Sequence, residues 1–87
     1  MQHMNHVRFY KRQMTKSSLF ICEFPDRDIG IEVFSDNTYV IQEYFDNRLE
    51  FNAEIITEND FINIIRLIKC GTLKSNSIKR GNAVQYF

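Results

Sequence analysis

Residues 29–47 read IGIEVFSDNTYVIQEYFDN, and this stretch decides the fold. Ile29, Ile31 and Val33 alternate with Gly30 and Glu32. A strand buried on one side needs that alternation, because successive side chains leave opposite faces. Ser35-Asp36-Asn37 is hairpin chemistry, in which Asn37 takes the left-handed conformation that a tight turn demands. Thr38 to Phe45 reads as the next strand, and Asp46-Asn47 supplies a second turn ten residues after the first. Parallel strands need crossovers of about a dozen residues or more, which this spacing does not allow, so the strands are expected to run antiparallel.

The same reading extends outward. Upstream, residues 18–24 are rich in β-formers (Leu19, Phe20, Ile21), and Pro25-Asp26-Arg27-Asp28 is a turn. Downstream, Leu49, Phe51, Ala53 and Ile55 alternate strictly with Arg48, Glu50, Asn52 and Glu54, the pattern of a strand wet on one face. The register across Asp46-Asn47 is open by one residue, and a slip moves Tyr39, Ile41 and Phe45 to the other face.

A helix follows. Thr57 is an N-cap with Asp60 placed to complete a capping box, and Ile56 and Phe61 are spaced as a hydrophobic staple. Phe61, Ile64, Ile65 and Ile68 share one face, opposite Asn59, Asn63 and Arg66. Glu58 and Asp60 suit the positive end of the dipole and Lys69 the negative end, and Gly71 ends a helix running from Glu58 to about Cys70. The expected fold is α+β: an antiparallel β-meander of about four strands packed against one C-terminal α-helix. It forms a single domain over residues 1–87 with its ordered body at 17–71. Residues 1–16 hold scattered apolar side chains without a period, residues 72–82 read as a polar loop, and residues 83–87 as a short last strand or a mobile end.

At 87 residues, with 44% apolar and 25% charged side chains, the chain is globular and its stability should be about 4–13 kcal/mol. No apolar run has the roughly 20 residues of a membrane span, and no signal peptide opens the sequence, so a cytoplasmic protein is expected. Cys22 and Cys70 lack metal-finger or C-x-x-C spacing and read as small core residues; a disulfide between them is left open. The bias to 11 Ile and 8 Asn against 2 Ala points to an AT-rich genome, such as a low-GC bacterium or its phage.

Net charge is zero, yet charge is sorted along the chain. Residues 1–16 carry Arg8, Lys11, Arg12 and Lys16 without an acid, and residues 69–87 carry Lys69, Lys74, Lys79 and Arg80 without an acid. All 11 acids lie between 17 and 68, where only Arg27, Arg48 and Arg66 oppose them. The plainest consequence is self-neutralisation, with basic ends lying against an acidic body. Two sharper readings compete with it. In the first, Glu32, Asp36, Glu43, Asp46, Glu50 and Glu54, interleaved with Tyr39, Tyr44 and Phe45, dock a protein partner with a basic surface. In general character this resembles small phage-encoded inhibitors of host nucleases, anti-CRISPR proteins among them, although no diagnostic motif carries the likeness. In the second, Arg8, Lys11, Arg12, Lys16, Lys74, Lys79 and Arg80 grip nucleic acid, with Phe9 and Tyr10 as stacking rings. A pI of 6.7 and the acidic middle place this second. A third reading is an assembly subunit. Open sheet edges favour a homodimer.

Catalytic and cofactor chemistry finds no footing. His3-x-x-His6 is the one metal-spaced pair, and no cysteine or carboxylate stands near it in sequence. Ser17, Ser18, Ser75 and Ser77 lack a nucleophile-elbow context, and three glycines build no phosphate loop. No enzyme activity, metal or cofactor is expected.

Overall fold

The protein is described here from a computed structural model, which covers residues 8–44 and 52–76. The fold is α+β, with six strands in place of about four. The strands are β1 (Arg8–Gln13), β2 (Ser17–Glu23), β3 (Asp28–Phe34), β4 (Thr38–Tyr44), β5 (Glu54–Ile56) and β6 (Lys74–Ser75). The helix α1 (Glu58–Lys69) joins β5 to β6. In space the order is β5-β1-β2-β3-β4-β6, antiparallel throughout except for β4 and β6, which run parallel.

The meander is therefore β1 to β4, one strand earlier in sequence than expected. Arg8–Gln13 lies inside the sheet between β2 and β5. Its alternation was hidden because each face mixes ring and charge: Arg8, Tyr10 and Arg12 point one way, Phe9, Lys11 and Gln13 the other. The β3–β4 hairpin forms as its turn chemistry requires. Asn37 has φ 67°, its amide donates to the Phe34 carbonyl at 3.0 Å, and the Asp36 carboxylate accepts from the Thr38 amide at 3.1 Å. Ile31 faces Ile41 and Val33 faces Tyr39, so Tyr39 and Ile41 share the face of Ile29 and Ile31. The second turn, 46–47, with Phe45, Leu49 and Phe51, lies outside the described residues.

The strand expected to return against β4 does not do so within the described residues. Glu54–Ile56 pairs with β1, at the far margin of the sheet. Ile55, expected on the dry side, is 77% exposed. The helix explains this reversal. Thr57 caps α1 with both capping-box bonds made: its hydroxyl accepts from the Asp60 amide, and the Asp60 carboxylate accepts from the Thr57 amide, each at 3.1 Å. Ile56, just before the cap, packs against the cluster that holds Phe61. With Ile56 turned inward, a period of two turns Ile55 outward.

α1 lies on one face, where Cys22, Ile29, Ile31, Tyr39, Ile41, Phe61 and Leu73 form the larger cluster, with Ile64, Ile65 and Ile68 against it. The Phe9 and Phe61 rings meet at 5.3 Å. On the opposite face Tyr10, Leu19 and Ile21 form a second cluster, joined by Met14 and Ala53. Gly71 (φ 87°) ends the helix, its amide donating to the Ile68 carbonyl at 3.2 Å. Leu73 is then buried, and β6 forms in the segment expected to be a loop. Of the two cysteines, Cys22 is buried and Cys70 exposed, both as free thiols. Cys70 is the C-cap residue of α1, past the apolar stripe, which is why it does not join the core.

Candidate docking surface

The acidic, aromatic-bearing surface read from the sequence is divided by the fold. Glu32 lies on the face away from α1, where its carboxylate accepts from the Ser17 hydroxyl at 2.6 Å. Glu43 lies on the helix-covered face, 2.7 Å from the Arg27 guanidinium, which also stands 5.3 Å from the Phe24 ring centre. Tyr39 is in the core beneath the helix. Asp36 is spent on its own turn. Glu54 stands at the opposite margin of the sheet. Phe45, Asp46, Glu50 and the side chain of Tyr44 lie outside the described residues. Tyr39 and Glu43 thus share the helix-covered face and Glu32 has the other, while Glu54, also on the helix side, stands at the far margin of the sheet.

The basic residues are divided as well. Arg8 and Arg12 share the face away from α1, with Tyr10 between them. That ring is buried, and its hydroxyl donates to Glu23 at 3.2 Å, so it is no stacking platform. Burial pushes the Tyr10 hydroxyl above its ordinary pKa. Lys11 points to the other face, its ammonium 5.7 Å from the Phe20 ring centre. Lys16 sits in the β1–β2 turn and Lys74 on the far edge; Lys79 and Arg80 lie outside the described residues. Among the described residues, the basic strand β1 is therefore set between β2 and β5, beside Glu23 and Glu54. The described residues carry eight Lys and Arg against nine Asp and Glu.

One surface is assembled by the fold. In the segment 54–60, Glu54, Ile55, Thr57, Glu58, Asn59 and Asp60 are all exposed, at the corner where β5 passes into α1. Three carboxylates, Glu54 on β5 and Glu58 and Asp60 on α1, stand on the helix side of this corner, and one bare β-branched side chain, Ile55, leaves it on the other side. Lys11, the cross-strand partner of Glu54, is the nearest cation by register. Beneath α1, burial first, then Asp28 of β3 and Glu58, push the Cys22 thiol up to about 12. Sequence reasoning had Glu54 but assigned Ile55 to the core and Glu58 and Asp60 to helix capping alone. The signal was the Ile55-Ile56 pair: both cannot face inward on one strand, and the staple position claims Ile56.

Two shallow hollows also open to solvent. One, of about 320 Å³, lies between the β1–β2 and β3–β4 turns and includes Val33 and Phe34 in its lining; the other, of about 250 Å³, lies beside Lys11 and Glu54. Among the described residues no cluster of His, Cys, Asp or Glu has the geometry to hold a metal ion, and His3 and His6 lie outside them. No helix among the described residues is long and apolar enough to cross a membrane. In comparisons with known proteins, no family model, no curated protein and no solved structure matches the chain.

Proposed function

We propose that this chain is a small non-enzymatic binding protein that docks a basic protein partner on the corner formed by residues 54–60. The observation that carries this reading is the 77% exposure of Ile55 at a corner whose exposed side chains also include Glu54, on the helix side of β5, and Glu58 and Asp60 at the start of α1. An exposed apolar side chain on an edge strand offers an anchor, and carboxylates at the same corner steer toward positive charge and discriminate against negative surfaces. A nucleic-acid enzyme, whose substrate groove is basic, is the partner class that such a surface fits.

Burying Ile55 would contribute on the order of 2 kcal/mol, or more than about ten-fold in affinity. The test uses the whole chain and its Ile55→Lys variant as paired baits in the native cell. A basic protein retained by the first and depleted at least about ten-fold on the second is the expected result. Equal retention by both baits, or a captured partner with an acidic surface, overturns the reading.

A second reading rests on Arg8 and Arg12, which share one face of β1. If that face binds nucleic acid, a generic oligonucleotide is bound at low salt and released at high salt, and Arg8→Ala with Arg12→Ala removes the effect.

A further inference from the structure

The two edges of the sheet are protected differently. At one edge, β6 has two residues and carries the exposed Lys74; the Asn76 side-chain amide just beyond it donates to the Thr38 hydroxyl at 2.9 Å. A short edge strand bearing lysine resists further pairing, because adding another strand would bury its charge. At the other edge, β5 has three residues with neither lysine nor proline, and among the described residues it pairs on one side, with β1. Its side chains alternate, Glu54 and Ile56 toward the α1 face and Ile55 away from it. The platform is bounded by Asn52, with φ 61°, and by the Thr57 cap, so it is short.

We propose that β5 accepts an extended basic segment of the partner as a further strand of the sheet. The segment would set an arginine or lysine beside Glu54, within reach of Glu58, and an apolar side chain beside Ile55. Backbone hydrogen bonds along β5 would hold it, and side chains on alternate positions would select it, as in strand-addition complexes generally. Charge decides between the possible occupants. A second copy of this chain would bring another Glu54, Glu58 and Asp60 to the same corner, and like charges oppose such pairing. A basic strand gains from Glu54, which lies on β5 itself, and from the negative charge at the start of α1 on the same side of the sheet. This inference rests on the acidic-corner reading above and adds to it the backbone mode of engagement.

The experiment uses the whole chain, labelled for amide NMR, and three short synthetic peptides. The first alternates arginine with valine, the second has the same sequence with alternate amides N-methylated, and the third has glutamate for arginine. The first peptide is expected to shift the amides of Glu54, Ile55 and Ile56 and to slow their exchange with solvent. N-methylation should abolish both effects without altering the protein, and Ile55→Lys should weaken binding at least about ten-fold. Equal binding of the N-methylated peptide, or no change at β5 with the first peptide, overturns strand addition while leaving side-chain docking at the corner intact. Equal binding of the glutamate peptide overturns the acidic-corner reading while leaving strand addition intact. Concentration-dependent doubling of mass in sedimentation, with the same β5 amides shifting, overturns the basic strand in favour of a second copy.

Discussion

Ile31 and Ile21 are both fully buried, stand on neighbouring strands, and point to opposite faces of the sheet. Ile31 belongs to the larger cluster under α1, whereas Ile21 belongs to the smaller one with Tyr10 and Leu19. A sheet with a single helix usually has one dry face and one wet face. Here the centre of each face is dry, with Leu19, Ile21 and Val40 buried on the side away from α1. The difference between the faces lies in what closes them. One is sealed by a capped helix that delivers Phe61 to the middle of the sheet. Of the described residues, the other has only Met14 and Ala53 against its cluster.

The helix-covered face should give the largest effect. Phe61 is 2% exposed and meets Phe9 ring to ring. Phe61→Ala should cost about 3–5 kcal/mol in urea unfolding, enough to bring a domain of this size close to its limit. Next come Ile31→Ala and Ile21→Ala, each expected to cost about 2–5 kcal/mol. If the faces are equivalent cores, the two values agree within about 1.5 kcal/mol. A cost below about 1 kcal/mol for Ile21→Ala alone would break the comparison, making the far face a covered surface and not a core. Thr57→Ala follows. It removes one capping acceptor and leaves the Asp60 amide without its partner, for about 1 kcal/mol, while Thr57→Ser should keep most of the stability. Because the cap holds α1 alone, amide exchange under Thr57→Ala should quicken in the helix more than in β2 and β3.

The two faces also explain what the sequence could and could not convey. Where one face of an element is wet, its period is visible: α1 has a polar side, and its cap, stripe and terminal glycine were all legible. The β3–β4 hairpin was legible for a second reason, since Asp36 and Asn37 have few other uses in that position. β1 was not legible, because Arg8 and Arg12 flank a buried tyrosine while Lys11 lies over Phe20, so neither face reads as purely apolar or polar. Nor was the destination of β5. Leu49 to Ile55 alternates as a strand should, but alternation gives a face and says nothing about which edge receives the strand. The docking residues suffered most. Glu32 looks like a neighbour of Tyr39 and Glu43 in sequence and is separated from them by the thickness of the sheet, whereas the corner at 54–60 depends on where β5 meets α1, which alternation alone does not give.

The smallest expected effect is at Ile55, and it gives the sharpest contrast with its neighbour. Ile56 packs against the helix-side cluster, so Ile56→Thr places a hydroxyl where apolar contacts were and should cost about 1–2 kcal/mol. Ile55 is already in water on the other side of the same short strand. Ile55→Thr keeps the β-branched shape and its strand preference, and it removes apolar area that folding never covered. Its cost in urea unfolding should therefore stay within about 0.5 kcal/mol of zero. Solubility at high concentration should rise, since a bare apolar edge is a site for unwanted strand pairing. A large loss of stability at Ile55 would mean that its side chain is covered in solution, and the acidic corner would then lack the anchor on which docking depends.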